Sequence, residues 1–409
     1  MSAGPLTGVK VVEFAGLAPV PFAGLILADF GASVIRIDRT ATSNLSIARD
    51  FLCRNKRSIS VDIKSDEGFQ IVKDLIRDAD VLLDPYRPGV LEKIGLGPDV
   101  WLGGDGKAGE NDKLVFARIG GFQTNGPHRD MAGHDINYLA LSGILSLLPG
   151  TAERPAAPLN LIADFAGGGL MCVLGILFAL FERQRSGRGQ VVDADMVSGT
   201  RYLSTFPLLH HILGSGLFAS AGSPRQTNLL DGGAPFYSIY TCADAQHVTV
   251  GCIEPQFFRV FLELFLKELP QVWLKKEPWV PDLSVQGNKA EWPALRDFLE
   301  RGFKLRPRDE WAAVFHGRDA CVVPVLTPTE AATLAVQGSA SSQAALHPSP
   351  APTLSRTPAS SYAGPLALLP VGKDTEEILL ELGRTQTEIT KLVQVGVVGV
   401  SAGTGLAKL

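Results

Sequence analysis

The chain has 409 residues, 45% of them hydrophobic and 20% charged, with a formal net charge of −4. That length and apolar content support one large domain or two ordinary ones around a sizeable core, and argue against wholesale disorder. No basic stripe with interleaved aromatics occurs, so nucleic acid is not expected as a partner, although a local Arg/Lys cluster can still hold an anionic ligand. The five cysteines, Cys53, Cys172, Cys242, Cys252 and Cys321, are scattered and form no CxxC. Such a set argues against a disulfide framework or a zinc site and fits a reducing compartment. The opening residues carry neither an apolar signal core nor an Arg-rich leader.

The first 85 residues alternate strand and helix. Val9 to Phe14 is a β-rich apolar run, and Pro19 to Phe30 reads as a helix with proline near its start and Gly31 at its end. Strands are predicted at Val34–Asp38, Ile59–Ile63 and Val81–Leu83, with a helix from Ser65 to about Asp78 whose first turn is acidic. Units of this kind specify parallel strands covered by helices, an α/β fold. Neither GxGxxG after a strand nor GxxxxGK[ST] is present, so a standard dinucleotide fold is not expected. Residues 103–107 read as a surface loop, and Val100 to Asp112 as a surface insertion.

A strand follows at Leu114–Ile119, then a buried helix at Ile136–Leu148, a long helix from Phe165 to Arg185 and a strand at Gln190–Ala194. The uncharged run Phe165–Phe181 is the one membrane candidate; it is about a turn short of a comfortable span and opens with three glycines, so a buried helix and no membrane span are expected. Beyond residue 220 the texture becomes that of a smaller α+β domain, with strands near Ser238–Tyr240 and His247–Gly251 and helices at Phe257–Leu269, Trp292–Arg301 and Asp309–Phe315. From Ala331 to Gly372 only Arg356 is charged, which reads as an extended linker returning to the main body before a short helix at Thr375–Leu382. The expected division is 1–200 for the large domain, 201–335 for the small one and 336–409 for the linker and return. The final Ala407-Lys408-Leu409 resembles the Ser-Lys-Leu peroxisomal address, preceded by a flexible Gly403-Thr404-Gly405, so a peroxisomal import receptor is an expected partner; a chance tripeptide in a cytoplasmic or mitochondrial protein is the alternative.

Two segments carry the chemistry. His134, in Gly133-His134-Asp135-Ile136-Asn137-Tyr138, titrates near neutrality as a residue type and can serve as base in one direction and acid in the other. Asp135 beside it is a good helix cap, and amides at that helix start can bond a developing enolate oxygen. Asp164 stands before a long apolar helix; an isolated Asp there is an ordinary cap, but Gly167-Gly168-Gly169 imply close approach of a ligand or another chain to the backbone. On spacing alone, two capped helices and a two-base site are both open. Glu254 follows a strand and precedes Pro255, either a turn carboxylate or one facing a cleft, where it would orient an imidazole and raise its pKa. Arg39 and Arg87 closely follow strands, where open α/β sheets bind ligands and where Arg suits phosphate.

Taken in order, residues 12–19, 28–32, 34–39, 86–90, 133–138, 160–169, 231–237 and 253–257 resemble the family III CoA transferase (CaiB/BaiF) superfamily, and within it the α-methylacyl-CoA racemases. The resemblance runs from residue 5 to about 330 and loosens in the tail, where residues 375–379 are its clearest echo. It implies a large Rossmann-like parallel-sheet domain plus a smaller α+β domain, in an interlocked homodimer with active sites shared between subunits. It implies His134 and Asp164 as the two acid/base groups, Glu254 as partner to His134, and Asn160 as a hydrogen-bonding neighbour of the reacting group. Contacts to coenzyme A would fall on Arg39, on Val61, Asp62, Ile63 and Lys64, on Pro85, Tyr86 and Arg87, and on Gly133, Asp135, Ile136, Asn137 and Tyr138. Lys93 stands where relatives often carry Arg, which loses the bidentate fork. Gln123 replaces the second glycine of the usual Gly-aromatic-Gly-Gln, a change in the loop leading to His134.

The implied reaction is a 1,1-proton transfer on a 2-methylacyl-CoA. One of His134 and Asp164 removes the α-proton, helix-start amides hold the enolate oxygen, and the other base delivers a proton to the opposite face. No cofactor is expected, coenzyme A being part of the substrate. Two rivals stand beside it: a CoA transferase of the same fold using Asp164 as nucleophile through a mixed anhydride, and a catalytically silent acyl-CoA-binding paralogue.

Overall fold

The computed structural model describes residues 4–40, 51–104, 106–151, 153–335, 347–360 and 368–401, so Ala407-Lys408-Leu409 lies outside the described residues. They form two units: one holds the described residues up to Ser142, Pro158–Leu203 and those from His347 onward, the other Gly143–Ala157 and residues 204–335. Gly143–Ala157, read from sequence as part of the large domain, groups with the second unit because Arg225 donates to the carbonyls of Leu148 and Thr151 at 3.2 and 2.8 Å.

The first unit is built on β1 (Lys10–Phe14), β2 (Ser33–Asp38), β3 (Lys56–Val61), β4 (Val81–Asp84), β5 (Val115–Gly120) and β6 (Gln190–Asp195), all parallel in the order β3-β2-β1-β4-β5-β6. Its connections include α1 (Pro19–Asp29), α2 (Asp66–Arg77), α3 (Val90–Lys93), α4 (Pro98–Leu102), α5 (Asp135–Leu141), α6 (Met171–Ser186) and α7 (Met196–Leu203). Period-two alternation sends Val11, Val34, Leu83 and Val115 to a face packed with Val20, Ala23, Leu27, Cys172 and Ile176. Val12, Phe14, Ile37, Ile59 and Phe116 go to the other face, against Ile71, Val72, Leu75 and Ile76. Both faces are covered, as parallel sheets require. α2 starts where the sequence indicates: Ser65 Oγ accepts the Gly68 amide at 3.1 Å, ahead of Asp66 and Glu67.

The second unit carries α8 (Thr205–Leu213), the antiparallel sheet β7 (Tyr237–Thr241), β8 (His247–Gly251) and β9 (Val322–Pro324), and α9 (Pro255–Glu268), with further helices at Trp292–Phe303 and Arg308–Phe315. Its core is strongly aromatic, with Phe258, Phe261, Phe265, Phe298, Phe303 and Trp311 buried together. The C-terminal segment returns to the first unit. Arg54 donates to the Pro348 carbonyl at 2.9 Å, the Gly372 amide donates to Ser58 Oγ at 2.8 Å, and β10 (Val398–Gly399) pairs antiparallel with β3.

Four expectations shift. β3 begins at Lys56 rather than Ile59, because the polar Lys56 and Ser58 are satisfied inside by Glu13 and Asp38. The helix expected to reach Leu148 stops at Leu141: Gly143 takes φ +84° and only a 3₁₀ turn, Ile144–Leu147, follows. The surface insertion is anchored in the core at both ends, by a fully buried Trp101 bonded to the Leu96 carbonyl and by Asn111 donating to the carbonyls of Ile76 and Ala79. The long helix begins at Leu161 with a π-helical stretch, Leu161–Leu170, that runs into α6. At 26 residues it is long and apolar enough, by length and composition, to cross a membrane; its buried residues Cys172, Val173, Ile176 and Ala179 pack into the sheet core of its own unit.

Candidate active site

His134 sits immediately before α5 with extended backbone, φ −132° and ψ 175°. Its amide donates to Asn137 Oδ1 at 3.0 Å and its carbonyl accepts the Asn137 amide at 2.8 Å, so Asn137 closes this helix start and leaves the imidazole exposed. The sequence pointed to Asp135 as the cap. Its carboxylate instead reaches across to the other segment, where Oδ2 accepts the amides of Ala163 at 2.9 Å and Asp164 at 2.8 Å, with the residue buried.

Asp164 is therefore not a cap. It is the fourth residue of the π-helical stretch, half-buried, with Asn160 Nδ2 donating to its Oδ2 at 3.1 Å. Burial is the main force raising its pKa above the ordinary carboxylate range; Asp135 adds to the rise, while the Asn160 hydrogen bond and His134 oppose it. The glycines that follow let neighbouring helices of the same chain approach closely. A Cβ on Gly167 would lie 2.6 Å from Thr200 Oγ1 on α7, and one on Gly169 2.8 Å from the Pro19 carbonyl on α1. Close seating of α1 and α7 on this helix fixes where Asp164 points.

His134 and Asp164 line one cavity of about 500 Å³, together with Pro85, Tyr86, Arg87, Gly133, Asn137 and Tyr138. Tyr138 is the wedge of its wall: its hydroxyl donates to the Gly133 carbonyl, and its ring meets Phe122 edge-on at 5.0 Å. A Cβ on Gly121 would fall 2.4 Å from that ring, so a glycine is required there. Burial, with the Asp164 charge, raises the Tyr138 pKa against the pull of Arg87. The opposite wall, 85–88, is braced from below. Asp84 accepts from the Tyr86 amide and from Arg118 Nε, both at 2.8 Å, while Arg118 also bonds Glu92, whose other oxygen accepts the Gly89 amide. Burial pushes the Asp84 carboxyl up to about 6 against these partners. Arg87 donates to the Asp130 carbonyl at 2.8 Å, joining the two walls.

Other expected residues stand outside this cavity. Arg39 follows β2 and acts on Tyr86, whose pKa burial raises and Arg39 pulls back. Val61 ends β3, and Asp62, Ile63 and Lys64 follow it at the same C-terminal edge of the sheet, with Lys64 exposed. Lys93 ends α3, exposed; Ile136 is 48% exposed on α5; Asn160 reaches the cavity only through Asp164. Glu254 is an exposed residue of the second unit, at the N-cap of α9. Sequence reading missed Leu17, Phe122, Arg129, Met131 and Met196 in the lining. Only Arg129 carried a signal, a cation in the loop ahead of His134; the apolar ones are indistinguishable from core residues until the loops converge. Gln123 has lost no backbone freedom that it needs: the left-handed non-glycine residues among those described are Asn55, Gln226, Ala245 and Cys321, and its side chain bonds Ser198 Oγ at 3.0 Å.

An imidazole and a carboxylate thus share one cavity, and among the described residues they form no ion pair with each other. Such a pair can move protons at a group held between them. The chain matches the model of CoA-transferase family III over residues 6–365. It is 46% identical over 398 residues to an alpha-methylacyl-CoA racemase of Mus musculus, covering 95% of this chain and 96% of that protein. It is 44% identical to an alpha-methylacyl-CoA racemase of Homo sapiens, over 95% of this chain and 96% of that protein. A CAIB/BAIF family protein from Brucella suis shares the fold, with a TM-score of 0.72 at 24% identity over 93% of this chain and 100% of that one. With the sheet order, the cavity and these matches in agreement, the chain belongs to CoA-transferase family III.

Proposed function

We propose that this protein is a racemase that interconverts (2R)- and (2S)-2-methylacyl-CoA thioesters by 1,1-proton transfer through an enolate. The observation that carries the reading is the presence of His134 and Asp164 on one cavity, in a chain that aligns almost end to end with relatives named for that activity.

The thioester makes the α-carbon weakly acidic. One base takes the α-proton, and the amides at the start of α5 hydrogen-bond the enolate oxygen as charge develops there. The other base, already protonated, delivers its proton to the opposite face of the planar intermediate. Each acid/base group contributes typically about 10²–10⁴-fold. The raised pKa of Asp164 suits this role, since it brings the carboxyl closer to the working pH and strengthens it as a base. In this reading Arg39, Arg87 and Lys93 serve the coenzyme A phosphates along the C-terminal edge of the sheet, and no further cofactor takes part.

The reading extends to a homodimer. α8 buries none of its residues within the chain, and Phe206, Leu209, Ile212 and Leu213 are all more than half exposed, an apolar surface that a second copy would cover. Glu254 of the partner subunit would then orient His134. Ala407-Lys408-Leu409 would direct the protein to the peroxisome through its import receptor.

The test is conversion of a pure (2R)-2-methylacyl-CoA to the racemate by the wild type, with His134→Ala and Asp164→Ala as controls. Hydroxylamine trapping of an acyl group on Asp164, with transfer of coenzyme A to a free acid and no racemisation, would contradict it and favour the transferase.

A further inference from the structure

We propose that Asp135 is a positioning residue that sets the spacing between the two acid/base groups by tying the start of α5 to the start of the Asp164 helix. This assignment rests on the two-base reading above. Asp135 follows His134 directly, so its Cα moves with the imidazole's backbone. Its Oδ2 accepts two successive amides, Ala163 at 2.9 Å and Asp164 at 2.8 Å, and the second belongs to the other base itself. A single buried oxygen is thus bonded to the backbone of one base and lies one residue from the other. Hydrogen bonds to an ionised acceptor are the stronger kind, and burial keeps water from replacing them.

The alternative, that Asp135 merely caps a helix, accounts for less. The start of α5 is already closed by Asn137, and the amides Asp135 accepts belong to a different helix. A cap serving only the Leu161–Leu170 stretch could come from its own N-terminal neighbour. Asn160, which holds that place, instead donates to the Asp164 carboxylate.

The carboxylate also acts electrostatically. The charged or titratable groups that act on Asp164, or it on them, are Asp135, His134 and Tyr138, all on or beside α5. From α1 and α7 the helix meets Pro19, Phe22, Met196 and Thr200, none of which titrates. Asp135 raises the Asp164 pKa. Position and basicity therefore depend on one side chain, and two substitutions separate them. Asp135→Asn keeps an acceptor oxygen for both amides and removes the charge; Asp135→Ala removes both.

The experiment measures kcat, KM and the pH dependence of kcat/KM for each enantiomer of a 2-methylacyl-CoA, with α-deuterium incorporation from D₂O and the thermal midpoint of each variant. Asp135→Ala is expected to lower kcat on the order of 10²-fold with KM within a few fold, as for a misplaced reacting group. Asp135→Asn is expected to retain its fold and most of kcat, and to move the acid limb of the profile to lower pH for the enantiomer that Asp164 deprotonates. A purely structural residue would lower kcat without moving that limb. Should Asp135→Ala fail to fold, the Asp135→Asn profile still decides. Wild-type exchange with an unmoved limb, or Asp135→Ala with the wild-type kcat, overturns the assignment alone. Absence of exchange in the wild type overturns the two-base reading and the assignment with it.

Discussion

Gly24 lies on α1 directly over a buried ion pair, and adding one methyl there should unseat it. Lys56 Nζ lies 2.8 and 3.0 Å from the two Glu13 oxygens and 2.8 Å from the Pro21 carbonyl, with both charged side chains at 0% exposure. A Cβ on Gly24 would stand 1.7 Å from Glu13 Oε2, 2.9 Å from its Cδ and 3.0 Å from Lys56 Nζ. The carboxylate must leave its place, and breaking a buried pair costs about 3–5 kcal/mol. Alanine recovers about 1 kcal/mol over glycine in a helix interior. The net loss for Gly24→Ala is then about 2–4 kcal/mol, read as a lower urea midpoint at unchanged slope. Activity should fall as well, because Pro19 and Val20, at the start of the same helix, line the cavity. In a Glu13→Ala, Lys56→Met background the obstacle is gone, and Gly24→Ala should become neutral or stabilising. A Gly24→Ala protein as stable as the wild type, or an equal loss in both backgrounds, would refute the packing argument.

The Asp164 pKa is raised on folding, so between the unfolded value and the folded one the native state holds the extra proton, and stability falls as pH rises through that window. Asp164→Asn removes this cost: its thermal midpoint should exceed the wild type's near pH 8, with the gap closing as pH falls below the unfolded carboxylate value, while racemisation is lost. Arg118→Met leaves Asp84 buried beside Tyr86 without its cation; a loss of roughly 3 kcal/mol by denaturant titration, with a larger rise in KM than fall in kcat, is expected from slackening of the 85–88 wall. Gln123→Gly gives up only the Ser198 bond and should change stability by about 1 kcal/mol or less and steady-state rates by less than threefold.

The parallel sheet was legible because both its faces are buried and its strands read as apolar runs, such as Val81–Leu83. β3 was misplaced for the converse reason: Lys56 and Ser58 look like surface residues until Glu13 and Asp38 arrive from other strands to satisfy them. His134 and Asp164 were marked by residue type, but their immediate settings were not. Asp135 resembled a local cap because its true partners, the amides of Ala163 and Asp164, lie 28 and 29 positions away. Gly167-Gly168-Gly169 signalled close approach, but nothing local to them points to Thr200 or Pro19 as neighbours. Met131 and Met196 could not be told from core residues, because cavity lining is a property of converging loops and not of one segment.

The central claim, removal of the α-proton from one face by one base and delivery of another proton to the opposite face by the second, is tested most directly by incubating a single enantiomer of a 2-methylacyl-CoA with the wild-type protein in D₂O. The product enantiomer should carry deuterium at the α-position from the earliest time points, with the thioester intact and with neither His134→Ala nor Asp164→Ala completing the inversion. A product enantiomer that keeps its original α-proton, or coenzyme A transfer to a free acid without exchange at the α-carbon, would contradict it.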